Sequence, residues 1–403
     1  MIEKYYDGAI KQVAAGLGTV EKNHLLVRYS GQFSIEELSY TDQLEKMENI
    51  FVQMHEFEPG EITSAYEPYL TMICDGFRRY MTGTFEEFME ECDVYYLHRP
   101  VLLGYFNRGY AKREEIILLD EVAYEQERML AALERMLYAI ADRHPVLLIL
   151  NRFQLASKST MQLTARILKA ENSNIGLVLG VSDIQAMPEF LVPDWEMLYE
   201  TLDDGSKIYH IGNSGRKKEE IADDGKYADY GSEKVYRKLQ NMVEFLDFDQ
   251  AAYYLEVIER KIKFDNLFVD DPARFRMWLL FAKVSILRKD IPKALEICED
   301  LEKIHLAGRE DECAYEQDYL IATAYMYQGK LKEALEMAGE TYRIAEKISD
   351  DYRKFLSELL KAQIQMSGWY NIFFCAQDVK IEKSLTENLI RYNYRNHLAH
   401  VYI

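Results

Sequence analysis

The sequence predicts an α/β domain built on a parallel sheet over residues 1–230, followed by an all-α superhelix of stacked repeats over residues 231–403. Three observations carry this. Residues 146–150 and 175–181 are unbroken aliphatic runs separated by about two dozen residues, the pattern of two strands buried on both faces and joined by a crossover helix. Downstream, FAKVSILRKDIPKALEIC superposes on IATAYMYQGKLKEALEMA with a constant offset of forty residues, aligning Ala282 with Ala322, Ile291 with Leu331 and Ala294 with Ala334. Between the two regions, the acidic, Gly-containing stretch 213–231 has few aliphatic residues apart from Ile221, which places the border near residue 230.

Taken in order, residues 1–23 read as a short helix and a polar turn. Residues 24–29 (HLLVRY) read as a strand ending near Gly31, where a nucleotide-binding fold places its first strand and phosphate loop. The window from Gly31 to Leu38 carries Glu36 and Glu37 where a phosphate loop has its second Gly and its Lys, so the expected loop repels phosphates. The spacing of Leu44, Met47, Ile50, Phe51 and Met54 predicts a helix over 42–57. Residues 85–143 are helical and lead into the central strand. Pro188 and Pro193 predict an irregular or broken helix beyond residue 183, and KIYHIG (207–212) a short last strand.

After the strand at 146–150 come Asn151, Arg152, an aromatic, Gln, an aliphatic, Ala and a Ser/Thr cluster up to Thr160. This segment resembles the second nucleotide-binding motif of the signal-transduction ATPases with numerous domains, the STAND branch of the AAA-like, P-loop-type ATPases. Tyr-x-Pro-Tyr at 66–69 resembles the segment that follows the first helix in that family, and Ser182-Asp183 stands at its polar sensor position. The family carries two acids where this chain has Asn151 and Arg152. The first helps hold magnesium and the second prepares the attacking water, and neither a neutral amide nor a guanidinium does that work. The resemblance implies a pseudo-ATPase with no ATP or magnesium cofactor. The altered phosphate loop points the same way, and the facing charges predict that Arg152 is neutralised by an acid such as Glu36 or Glu37.

The forty-residue units resemble tetratricopeptide repeats, helix pairs with small residues at the crossing, with Trp278, Tyr325 and Gly329 at matching positions. A third copy reaches Ala362, with a turn near Gly368-Trp369, and an earlier one surrounds Ala251. In such arrays the first helix of each pair lines a groove, here expected at Lys283, Ile286, Tyr319, Thr323, Met326, Tyr327 and Gln363. NLIRYNYRNHLAHVYI opens another repeat helix without its partner, so the expected natural chain continues. In bacterial regulators that share this pairing of segments, the output is a transcription-activating or diguanylate cyclase domain.

Composition bounds the rest. A net charge of −20 argues against direct nucleic-acid contact, and GRKK at 215–218 is the single compact basic run. Apolar runs of five to seven residues are too short to span a membrane. A charged N-terminus and five scattered cysteines point to a reducing cytoplasm. His397 and His400 lack the further ligands a metal needs, and the acids of TFEEFMEECD alternate with Phe85, Phe88 and Met89 as a solvated helix face. The functions left are a non-catalytic regulatory module binding a peptide, protein or small ligand in the groove, an active ATP-dependent switch with unorthodox residues, and a passive scaffold.

Overall fold

The computed structural model describes residues 2–18, 24–29, 33–37, 49–113, 119–170, 174–182, 187–203, 207–211, 230–265, 267–369 and 383–394. The chain divides into two compact units, one formed by Met1–Lys112, Asp120–Asp229 and Arg237–Gln250, the other by Arg113–Leu119, Tyr230–Tyr236 and Ala251–Ile403.

The first unit contains a five-stranded, wholly parallel sheet. In chain order its strands are β1 (His24–Tyr29), β2 (Phe51–Glu56), β3 (Val146–Asn151), β4 (Ile175–Ser182) and β5 (Lys207–Ile211), and in space they run β2-β3-β4-β1-β5. Helices of this unit are α1 (Ile2–Gly16), α2 (Tyr69–Tyr80), α3 (Phe85–Glu91), α4 (Arg99–Arg108), α5 (Val122–Ala141), α6 (Lys158–Lys169) and α7 (Val192–Asp203). The two central strands β3 and β4 are buried at every residue, which is why they appear in the sequence as uninterrupted aliphatic runs. Alternate strand residues then serve two cores. Leu25, Val27, Leu147, Ile149 and Val178 pack with Tyr6, Ala9, Ile10 and Val13 of α1. The close approach of α1 requires glycine in β4, since a β-carbon at Gly176 would lie 2.4 Å from Val13 Cγ1.

Two expectations are corrected here. Residues 51–56, predicted as part of a helix, form the edge strand β2, in register with β3 from Phe51 opposite Val146 to Glu56 opposite Asn151. Val52 and Met54 pack on the α1 core, whereas Phe51 turns to the other face, within 5.4 Å of the Tyr80 ring. This period-two alternation was masked because Ile50, Phe51 and Met54 also fit a helical stripe. Of the rest of that expected helix, residues 42–48 lie outside the described residues and residues 49–50 form a turn and a bend. The segment with two prolines contains a regular helix, α7, because Pro193 falls in its first turn, where no intrahelical N–H is needed.

Arg237–Gln250 belongs to the first unit although it follows the expected border. It comprises most of α8 (Glu233–Glu244) and the start of α9 (Phe248–Phe264). Asn241 Oδ1 accepts the Ala111 N–H at 2.8 Å, and Asp247 accepts the Ser159 N–H at 3.0 Å, so polar contacts fix this segment against α6 and the end of α4.

The second unit is helical wherever it is regular among the described residues: α10 (Asp271–Leu287), α11 (Ile291–Leu301), α12 (Glu310–Tyr327), α13 (Leu331–Lys347), α14 (Asp351–Trp369) and α15 (Lys383–Arg391). Successive hairpins recur at close to forty residues. Tight turns at Lys289, Gly329 and Ser349, all with positive φ, separate α10 from α11, α12 from α13 and α13 from α14. Ala282, Ala294, Ala322 and Ala334 are all fully buried, and Ala362 nearly so. The turn expected near Gly368-Trp369 is instead the last turn of α14.

Candidate functional site

Parallel register brings the carboxyl ends of the strands to one edge of the sheet, the place where open α/β folds put their ligands. Glu56 ends β2 opposite Asn151, which ends β3, and Tyr29 ends β1 opposite Ser182, which ends β4. Loop residues Phe33 and Ser34 follow β1 and return over this edge, continuing into a single 3-10 turn, Ile35–Glu37.

Asn151 is fully buried and uses both ends of its amide. Oδ1 accepts the Tyr29 hydroxyl at 2.7 Å, while Nδ2 donates to the Phe33 carbonyl at 3.3 Å and to Glu56 Oε1 at 3.2 Å. An aspartate here would set a carboxylate against a carbonyl and a second carboxylate. The neutral amide is therefore demanded by its surroundings, because only an N–H₂ group satisfies two acceptors.

Glu56 collects four donors. Oε2 takes the Ser34 hydroxyl at 2.6 Å and the Ile35 N–H at 3.1 Å, and Oε1 takes Asn151 Nδ2 and the Arg152 guanidinium, each at 3.2 Å. Arg152 adopts a left-handed backbone conformation at φ 52°, costing a non-glycine residue roughly 1–2 kcal/mol, and reaches Glu58 Oε2 at 3.1 Å as well. Arg152 is thus neutralised by Glu56 and Glu58, two acids other than the Glu36 and Glu37 named from the sequence. Glu36 is exposed, and the Glu37 side chain and Gly31 lie outside the described residues. Ser34 and Ile35, in the loop after β1, donate to the Glu56 carboxylate.

Aromatic rings close the edge from within. Phe33 is buried between Tyr6 of α1 and Tyr29, with ring centroids 5.3 and 5.7 Å away. Burial pushes the Tyr6 and Tyr29 phenols above their ordinary range, Tyr6 with further help from Tyr29 and Glu56, while Arg152 and the Asn151 hydrogen bond hold Tyr29 back. Both remain protonated near neutrality. Within this assembly the Glu56 carboxylate meets four donors and the Arg152 guanidinium meets two acids.

Elsewhere, Ser182 gives its N–H to Gln154 Oε1 at 3.2 Å, and Asp183 lies outside the described residues. Thr84 and Glu87 form a capping box on α3, whose apolar face, Phe85, Phe88 and Met89, is buried. Two of the seven groove residues read from the sequence, Ile286 and Met326, are buried instead of lining a surface. Lys283 is exposed, whereas Ile286 and Met326 are buried in separate clusters with Ala294 and Ala334. Tyr319 and Tyr327 are half-buried beside those clusters, Thr323 donates to the Tyr319 carbonyl, and the Gln363 carbonyl accepts from Ser367. Among the described residues no group of three His, Cys, Asp or Glu side chains is placed to hold a metal, and no helix is long and apolar enough to cross a membrane; His397 and His400 lie outside those residues.

Sequence reasoning missed Glu56 and Glu58. Their signal is an acid ending an alternating run, FVQMHE, but the helical reading of 42–57 hid it. No protein-family model, curated protein or solved structure matches this chain.

Proposed function

We propose that the chain is a non-catalytic regulatory or sensory module of a bacterial signalling protein: a STAND-like unit without nucleotide chemistry, joined to tetratricopeptide-like repeats that bind a peptide, protein or small ligand. One observation carries the first half. Asn151 stands at the end of β3 as a donor to a carbonyl and a carboxylate, an arrangement in which the acid needed for magnesium has no place. The parallel sheet, with β3 and β4 as paired buried strands, supports the α/β half of this reading. Helical hairpins at about forty-residue spacing, with buried alanines at their crossings, support the repeat half. Its binding face is offered by Lys283, Tyr319, Thr323, Tyr327 and Gln363, and its output is a transcriptional or diguanylate cyclase domain.

Titration calorimetry with magnesium-ATP, together with a phosphate-release assay, tests this. The expected result is no binding heat and no turnover. Turnover by the unmodified protein that disappears in Arg152→Ala overturns the reading in favour of an ATP-driven switch.

A further inference from the structure

The donors around Glu56 make up an anion site. A hydroxyl, a main-chain N–H, a carboxamide and a guanidinium converge on one carboxylate from two separate stretches of chain, Ser34-Ile35 and Asn151-Arg152. Such a set fits the oxygens of any small oxyanion, because each donor is aimed at a negative oxygen and the guanidinium adds charge. The place is sheltered: the Glu56 side chain is 10% exposed and Asn151 is fully buried. A second feature lies beside it, where the close packing of polar atoms on Gly180 requires glycine. The Tyr6 hydroxyl is buried without a hydrogen-bond partner, and a β-carbon on Gly180 would lie 2.3 Å from it and 2.5 Å from Asn151 Oδ1.

We propose that this is an oxyanion site plugged in cis by the Glu56 carboxylate, which an external carboxylate or phosphate replaces when the side chain swings out. Glu56 ends the edge strand β2, so its side chain can leave while the backbone pairing with β3 stays intact. Arg152 keeps Glu58 as a partner when the plug withdraws, and Glu58 together with exposed Glu36 disfavours multiply charged ligands. The ligand class is thus a compact oxyanion of low charge, and its entry frees the end of β2 from the loop after β1. The inference deepens the non-catalytic reading and rests on it for the closed edge, but the two fail separately: ATP turnover refutes that reading, whereas the anion test below does not involve nucleotide.

The test is rescue of the full chain carrying Glu56→Ala by inorganic phosphate or acetate, against chloride at matched ionic strength. With half-saturation near ~10 mM, 100 mM of the fitting anion raises the melting temperature of the variant by about 3–5 °C and leaves the wild type unmoved. Rescue by acetate assigns the site to carboxylates, rescue by phosphate to phosphoryl groups, and rescue by both to either. Adding Ser34→Ala to Glu56→Ala should abolish the rise. Equal melting in all three salts, an equal rise in the wild type, or full rescue in the double variant overturns the proposal. If Glu56→Ala does not fold in chloride, refolding yield is the readout: recovery in phosphate or acetate supports the site, and equal yield in all three salts overturns it.

Discussion

At the carboxyl edge of the sheet, closeness is achieved with polar groups: Tyr29, Asn151, Glu56, Arg152 and Ser34 meet through hydrogen bonds that span up to 122 residues of sequence. In the helical hairpins it is achieved with methyl groups, where Ala322, Ala334 and Ala338 pack against Leu360 and Ile364 at zero or near-zero exposure. The first kind of contact is directional and fails when a donor becomes an acceptor. The second has no direction and fails when volume is added. A substitution that damages one region should therefore be tolerated in the chemical terms of the other, and this contrast can be broken by experiment.

The largest effect is expected in the hairpins. Ala322 is fully buried between α12 and its neighbours, so Ala322→Trp forces the helices apart and should destabilise by about 3 kcal/mol or more, the upper range of core overpacking. Denaturant melting followed through Trp278, in the same unit, reads it against Ala322→Ser, which adds little volume. Indistinguishable midpoints for the two variants would mean that the forty-residue alignment has misplaced the crossing.

At the sheet edge the complementary change adds no volume at all. Asn151→Asp replaces a double donor by an acceptor facing the Phe33 carbonyl and Glu56, and should cost about 2–3 kcal/mol through the lost hydrogen bonds and the like charge. Asn151→Asp with Arg152→Asp, which supplies the two acids that the resembled ATPases carry at these positions, should give a still less stable protein without ATP hydrolysis. Hydrolysis by that double variant would show that the edge opens to admit phosphates.

These two regions also differ in how far they can be read from sequence. The hairpins repeat, so a forty-residue offset exposes their small residues without any structure. The central strands are equally legible, because β3 and β4 are covered on both faces and use aliphatic residues throughout. The edge strand β2 is covered unequally, and its Phe51 and Met54 satisfy a helical period as well as a strand period. Glu56 was illegible for a further reason: its partners lie 21 to 96 positions away, and only the register of β2 on β3 brings it to Asn151. The resemblance located Asn151 and Arg152 at the critical edge, but the residues that neutralise them come from a strand the sequence does not declare.

Two carboxylates in the first unit sharpen the contrast on the polar side. Glu56 has four donors including a guanidinium, whereas Asp247 is buried where Ser159 supplies its hydrogen bonds, Lys158 attracts its charge and Asp249 opposes it; Tyr66 is the other titratable group beside it. Burial wins at Asp247 and pushes its carboxyl up to about 6 from 3.8. A folded-state value above the unfolded one means that folding favours the protonated acid. Its stabilising contribution is complete below pH ~4 and is lost as pH rises through 6, a change on the order of 3 kcal/mol. Asp247→Asn should flatten the stability profile between pH 4 and 7. An unaltered slope would place the titration on another group.

The smallest effect separates two buried tyrosines that flank Phe33. The Tyr29 hydroxyl donates a hydrogen bond to Asn151 Oδ1 at 2.7 Å, so Tyr29→Phe removes one donor and leaves a buried oxygen short of a partner, at a cost of about 1–2 kcal/mol. The Tyr6 hydroxyl is just as deeply buried but has no hydrogen-bond partner, so folding strips it of water without return. Tyr6→Phe keeps the ring against Phe33 and removes that penalty. It should be neutral or stabilise by up to about 1 kcal/mol. Paired denaturant titrations of the two variants, the same chemical change at opposite ends of one network, give the comparison directly. If Tyr6→Phe costs as much as Tyr29→Phe, the Tyr6 hydroxyl has an occupant of the oxyanion site or a bound water as its partner, and the edge is more completely satisfied than its side chains alone make it.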